Sequence, residues 1–438
     1  MIPAASIPAL LGGARGLRGV AQGYLAVAFL PALHTLGWSS LTLGGALSGG
    51  LLADFLLTLV VGAFADRLPP RRLLMAGELA GGLATLPFFL HPSPLTLVLA
   101  LFLAGAGQRS NGSPGPWGPS EQILLARLPP STAPFLHFGH TMALGLAGMG
   151  AGALLARGVT VAPERALHMG MAGLLASSLA CLFLVSRLPP EPPPSPAPAG
   201  PTPQENEETP SSERRKLLLL VATNVTGGLA MGLVDPVIAY WFLVRFHPGT
   251  ASIALALATA FGASAAVSLL LGRIRSTATL PLAVLALMGI SVAAGLTLPF
   301  AATVGAAGLL YAIRLSGMKA PGGIRQALAL TLVHPRRKGR AAALHLSSLQ
   351  AAQIAGPLLA GLLFGAGQTT APLVAAGALA GISLGLFFLL YRSGRQKERP
   401  TRLPESEKGG RTGQGSEAIS PSVRGNLRIK GWGGRQGG

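Results

Sequence analysis

Apolar runs of membrane-helix length repeat along almost the whole chain, each bounded by proline, glycine or charge. A helix needs about 20 residues to cross a hydrocarbon core, and the pattern predicts twelve such spans. The first six fall at 18–36, 41–64, 73–90, 95–127, 135–156 and 166–186. The second six fall at 217–243, 251–271, 280–299, 302–333, 341–364 and 371–391. The fourth is interrupted by Gly112-Ser-Pro-Gly-Pro-Trp-Gly-Pro119. Broken backbone at membrane depth is tolerated against protein or water, so this segment is expected to face one of those.

Between the two sets the chain turns polar, first Pro-rich, then acidic, then basic, over 188–216. It has too little apolar surface to fold and reads as a flexible cytoplasmic linker. The tail 392–438 is rich in Gly, Ser and Arg and reads as disordered and cytoplasmic, beside anionic headgroups. Residues 1–17 are mildly apolar, with Arg15 and Arg18 after the apolar part. A cleaved signal carries its positive charge first, so this stretch reads as a retained cytoplasmic lead-in. The expected order is therefore 1–17 lead-in, 18–187 first half, 188–216 linker, 217–391 second half and 392–438 tail.

Composition sharpens this to an all-α integral membrane protein. Half the residues are hydrophobic and only 11% are charged, where a soluble domain carries about 25%. Gly 60 fits closely packed spans, in which small residues let backbones approach. The net charge of +19 would admit nucleic acid, but its placement argues for membrane. Ten of the 34 Lys and Arg lie in 395–435, and most others sit in short loops. Loops on the side of Asp66 hold fifteen of these cations and the opposite loops three, namely Arg157, Arg165 and Arg245. Positive charge collects on the cytoplasmic side, which puts both termini in the cytoplasm of a plasma-membrane protein with lipid, not nucleic acid, as its partner. Cys181 is the sole cysteine, so no intrachain disulfide or thiolate zinc site is available. No metal site, cofactor motif, nucleophile–base set or G-x-x-x-x-G-K-[ST] loop is present, which argues against an enzyme or direct ATP drive.

The halves also match. Leu136-His137 and Gly148 recur as Leu344-His345 and Gly356 at the same offset, and Glu121-Gln122 recurs as Arg325-Gln326. Two parallel six-span halves around a central site are a recurring transporter plan.

Gly62-x-x-x-Asp66-Arg67-x-x-x-Arg71-Arg72 resembles the 2–3 loop signature of the major facilitator superfamily. So do the six-plus-six hydropathy, the polar central loop and Gly339-Arg340…Gly356-Pro357-x-x-x-Gly361 in span 11. Pro69-Pro70 replaces the family's usual glycine before the last basic pair, the second half's loop lacks the aspartate, and span 5 lacks the Gly-Pro pair of drug antiporters. The resemblance implies twelve transmembrane helices in two pseudo-symmetric halves, a central cavity lined by spans 1, 4, 7 and 10, and a conformational latch at Gly62, Asp66, Arg67, Arg71 and Arg72. In that latch Asp66 faces a helix N-terminus, and the arginines reach acids or carbonyls across the half-to-half boundary. The bland reading is that the arginines only set topology.

Ionisable groups at membrane depth are expensive and mark function by default. They are Asp54 in span 2, Arg109 and Glu121 in span 4, Asp235 in span 7, and Arg314, Lys319 and Arg325 in span 10. Estimated depth pairs Asp54 with Arg109 and Asp235 with Arg314, giving either proton-carrying carboxylates or permanent ion pairs. Glu78 reads as a structural partner of nearby arginines. His34, His137, His140 and His345 read as interfacial rather than as shuttles. Candidate cavity residues are Trp117, Asn224, Tyr240, Gln350 and Gln353; helix–helix hydrogen bonds and an interfacial belt are the competing roles. Gly148, Gly356, Pro357 and Gly361 read as helix-packing positions. The expectation is a monomeric secondary transporter that moves a small molecule by alternating access, coupled to protons, with export favoured. A metabolite symporter or uniporter, or a non-transporting scaffold or sensor of the same fold, are the alternatives.

Overall fold

The computed structural model describes residues 7–65, 68–108, 112–126, 134–158, 162–189, 210–274, 280–322 and 338–395, and their regular structure is entirely helical. In chain order the helices are α1 (Ile7–Thr35), α2 (Ser40–Ala65), α3 (Pro70–Leu90), α4 (Pro94–Ala104), α5 (Gly118–Ala126), α6 (Pro134–Arg157) and α7 (Pro163–Ser186). The second half supplies α8 (Pro210–Gly232), α9 (Ile238–Phe246), α10 (Thr250–Gly272), α11 (Leu280–Thr297), α12 (Val304–Lys319), α13 (Lys338–Gly365) and α14 (Ala371–Arg395). Eight of the described helices are long and apolar enough to cross a membrane. Spans 4 and 7 each consist of two shorter helices, α4 with α5 and α8 with α9.

Four boundaries differ from the sequence expectation. Helix α8 begins at Pro210, so the last seven residues of the expected 188–216 linker are helical. The first helix starts at Ile7, so Arg15 and Arg18 are not in a lead-in but inside a helix, where Arg18 is buried. Their charges are matched by acids on other helices, which makes the burial affordable. Span 7 is not continuous over 217–243; it breaks at Leu233–Val237. Span 10 is described as helical only to Lys319, followed by the turn at Ala320.

Pseudo-symmetry is visible in the packing. Within the first half α1 lies on α6, and within the second α8 lies on α13. Gly148 of α6 and Gly356 of α13, matched positions in the repeat, both sit at these crossings. A methyl on Gly148 would strike the Gly16 backbone, and one on Gly356 the Gly232 backbone. Close approach of backbones is what small residues provide in lipid, where no water drives helices together. Between the halves, α6 packs on α10 and α2 on α13, the symmetry-related pairs, while α1 touches α9 and α10.

One end of the bundle is tightly closed. At the end opposite the 2–3 turn, Gly361 lies against Ser40 and Gly44, and the Leu358 N–H donates to Ser48 Oγ at 3.0 Å. That N–H is available because Pro357 interrupts the ladder of α13. Beside it, the Ser40 and Tyr240 hydroxyls share a 2.7 Å hydrogen bond, His34 stacks edge-on against Tyr240, and Trp241 Nε1 donates to the Thr369 carbonyl at 3.0 Å.

Candidate functional site

The break in span 7 follows from Asp235-Pro236. Proline lacks an N–H, and it pushes the residue before it out of the helical region. The N–H groups of Val234 and Asp235 both turn to the Met231 carbonyl, at 3.3 and 2.9 Å. The Ala230 carbonyl, which Val234 would bond in a continuous helix, instead accepts from Arg314 Nη2 at 3.3 Å. The same guanidinium donates through Nη1 to Asp235 Oδ1 at 2.7 Å, and Lys319 Nζ stands 3.0 Å from Asp235 Oδ2. Arg314 and Lys319 come from α12, and Tyr311, one turn before Arg314, is fully buried. Among the described residues one carboxylate thus faces two cations.

Asp235 and Lys319 lie on the wall of a cavity of about 100 Å³ to which both halves contribute. The first half supplies Ala26, Leu51, Leu146 and Met149, with Gly107 and Gln108 from the break in span 4. The second supplies Met231, Pro236, Ile238, Leu257, Phe261, Tyr311, Leu315 and Gln353. The mostly apolar wall with few polar groups is that of a small-molecule site. Gln108 Nε2 has no hydrogen-bond partner among the described residues, and Gln353 Nε2 reaches only Met231 Sδ, at 3.8 Å.

A second charged cluster braces the break in span 4. Gly105, Gly107, Gly112 and Gly115 all have positive φ there, a conformation only glycine adopts freely. Arg18 Nη1 donates to the Gly112 carbonyl at 2.6 Å, and its Nε is 2.9 Å from Glu78 Oε1. Arg15 Nε donates to Glu121 Oε1 at 2.6 Å, and Arg18 Nη1 is 3.8 Å from Glu121 Oε2. Among the described residues two cations here meet two carboxylates.

The other expected residues divide as follows. Arg109, Asp66, Arg67 and Arg325 lie outside the described residues, so the Asp54–Arg109 pairing is not described. The Asp54 carbonyl accepts from Thr58 Oγ1 at 2.7 Å. Glu121 meets Arg15, and Glu78 meets Arg18. Arg71 Nη2 donates to the Ser186 carbonyl at 2.5 Å, inside its own half. Arg72 is exposed, and Gly62 has open space around it. Of the five expected cavity residues only Gln353 lines the wall. Trp117 packs against Gly77 of α3, Asn224 donates to Ser348 Oγ at 3.2 Å, Tyr240 belongs to the closed end, and Gln350 lies one turn away on α13. Small residues and neighbouring helices, not the cavity, take up these side chains. His34, His137 and His140 do not line the cavity, and the His345 side chain lies outside the described residues.

Sequence reasoning missed Arg15, Arg18, Gln108 and Tyr311. The available signal was the spacing of Arg15 and Arg18, three apart and therefore on one helical face, in a run with no proline between Pro8 and Pro31.

The family model described as the Major Facilitator Superfamily matches residues 11–324. Among solved structures, a bacterial homologue of the human lysosomal transporter Spinster, inward-facing and unoccupied, is 16% identical with a TM-score of 0.64, covering 90% of this chain and 98% of that one. A mutant of the nucleoside transporter NupG is 12% identical with a TM-score of 0.61, covering 88% and 100%. The human organic anion transporter MFSD10 (TETRAN) is 15% identical with a TM-score of 0.62, again covering 88% and 100%. At these identities the likeness is one of fold. No curated protein matches the sequence.

Proposed function

The chain belongs to the major facilitator superfamily, and from that premise we propose that it carries a small molecule across the membrane by alternating access, coupled to protons through Asp235. It is a multi-pass membrane transporter and not an enzyme. The observation that carries the finer reading is the position of Asp235: at a broken span, between Arg314 and Lys319, on a cavity wall shared by both halves. Rocking of the halves moves α12 relative to cargo and to the first half. A carboxylate that loses its cations in a dry wall is costly, and taking up a proton removes that cost. Cargo that competes for the two cations therefore links its own binding to the proton.

The closed end opposite the 2–3 turn supports a cavity facing the basic side in this conformation. The latch of Asp66, Arg67, Arg71 and Arg72 is read as closing across the halves in the alternate state. In the same reading the basic end is cytoplasmic, the membrane is the plasma membrane, the linker and tail lie on the cytoplasmic side, and one copy of the chain suffices. Because cargo and proton load together in this scheme, net movement of cargo follows the direction of the proton gradient.

Proteoliposomes containing a pH-sensitive dye, screened with pooled anionic and cationic compounds, test this. Cargo-dependent proton movement in the wild type and its loss in Asp235→Asn are expected. Cargo flux with no proton signal would refute coupling and leave a uniporter; silence across a broad screen would favour a scaffold.

A further inference from the structure

The two seams between the halves are related by the repeat but differ in how far they stay in contact. Along α6–α10 the backbones meet near both ends. A methyl on Gly139, near the basic end of α6, would lie 3.2 Å from the Ser268 carbonyl oxygen and 3.4 Å from Gly272 Cα. One on Gly150 would lie 3.4 Å from the Ala258 carbonyl oxygen. These glycines are separated by about 16 Å of helix, so the two helices run side by side without splaying. Burial follows the same course, with Ala254, Leu257, Phe261, Ala265, Ser268 and Leu271 covered along the whole of α10. Along α2–α13 the close contacts gather at the outer end. There Gly44 sits against the Pro357 carbonyl, Gly361 against the Ser40 carbonyl, and the Leu358 N–H on Ser48 Oγ. Toward the basic side burial fades on both helices. Of residues 51–64 in α2 only Thr58 and Val61 are buried, and in α13 none of 347–355 is.

The cavity wall shows what this asymmetry does. On the α6–α10 side it is built by Leu146, Met149, Leu257 and Phe261, and the Gly139–Ser268 contact continues the seam beyond them toward the basic end. On the α2–α13 side it is built by Leu51 and Gln353, about one turn past the Ser48–Leu358 bond, where the close contacts stop. Small residues let α6 and α10 approach closely in lipid, and parting them would strip dispersion contacts at every turn. The outer end of α2–α13 is fastened by two glycine contacts and one hydrogen bond, whose donor is free because Pro357 interrupts its helix. We propose that the halves swing about the α6–α10 seam as a hinge, and that cargo passes between the cavity and the basic side at α2–α13. One seam stays shut in both states, and the other opens at one end and then at the other. The inference rests on the alternating-access reading and adds which seam moves.

Dipolar EPR between paired nitroxides on the full chain tests it. Cysteines replace Leu41 with Leu362 and Val60 with Ser347 at the two ends of α2–α13, and Leu155 with Leu255 and His140 with Leu270 at the two ends of α6–α10. All but the half-buried Ser347 are exposed, and the native Cys181, fully buried, stays in place. Each pair is measured with and without Gly44→Leu, which drives a side chain into the Pro357 carbonyl and forces the outer α2–α13 seam apart. Ser48→Ala, which only removes the acceptor of the Leu358 N–H, serves where that variant fails to fold. The Leu41–Leu362 distance should lengthen and the Val60–Ser347 distance shorten, each by about 5 Å, while both α6–α10 distances hold within about 2 Å. Equal changes at both seams would overturn the hinge and leave alternating access standing. Lengthening at Leu41–Leu362 with no response at Val60–Ser347 would overturn the hinge as well, since the wedge would only have pried one end. Four unchanged distances in both variants would sink the hinge and the alternating-access reading together.

Discussion

Each half of the molecule interrupts one span and braces the break with arginine. At span 4 Arg18 holds the Gly112 carbonyl, and at span 7 Arg314 holds the Ala230 carbonyl. Both guanidiniums also pair with acids, so the local solution is the same: a cation donates to a backbone oxygen that has lost its helical partner. The difference lies in the totals. Arg15 and Arg18 face Glu78 and Glu121 one for one, while Asp235 faces two cations. The first group lies away from the shared cavity, and the second puts Asp235 and Lys319 on its wall. Two similar braces thus separate into a structural one and a working one.

The largest expected effect tests the structural side. Arg18→Met removes the donor to Gly112 and the partner of Glu78 together. Breaking a buried pair from one side costs about 3–5 kcal/mol. A large loss of folded, monodisperse protein and a steep fall in Tm in detergent are expected. A variant that melts like the wild type would show that the span 4 break does not depend on this brace.

Asp235→Asn and Glu121→Gln sharpen the contrast, since each removes one negative charge and keeps the shape. Both should cost about 1–3 kcal/mol, the range for a buried polar group whose partner changes. Only Asp235→Asn should abolish cargo-dependent proton movement. If Glu121→Gln abolished it too, the separation of roles would collapse.

Much of the architecture was legible because membrane helices announce themselves by length and apolarity, and because the repeat put Gly148 and Gly356 at equivalent crossings. The Asp235–Arg314 contact was legible too, since depth along two spans can be counted from their ends. Lys319 as the second cation was not, because helix α12 turns it toward Asp235 only once the break in span 7 has moved the carboxylate. Arg15 and Arg18 were misread for a related reason. Charges near a chain end read as solvated unless their partners are known, and Glu78 and Glu121 lie on other helices. The aromatic and amide residues assigned to the cavity failed most often. Trp117 and Asn224 satisfy local packing and helix–helix bonds, which composition cannot distinguish from a cavity wall.

The smallest expected effect on stability is the most informative for function. Lys319→Met leaves Asp235 and Arg314 as a one-to-one pair at 2.7 Å, so no carboxylate is abandoned. The thioether suits a wall that already holds Met149 and Met231. Replacing a partly buried charge by an apolar side chain of similar length is close to neutral or mildly stabilising when the remaining charges stay paired. Tm in detergent should therefore move by no more than the few degrees that ~1 kcal/mol produces. If Lys319 on the cavity wall belongs to the working site, this well-folded protein should lose cargo-dependent proton movement while the matched Arg18→Met variant fails for want of stability. If Lys319→Met instead unfolds the protein, Lys319 braces the break as Arg18 does, and both halves are structural in the same way.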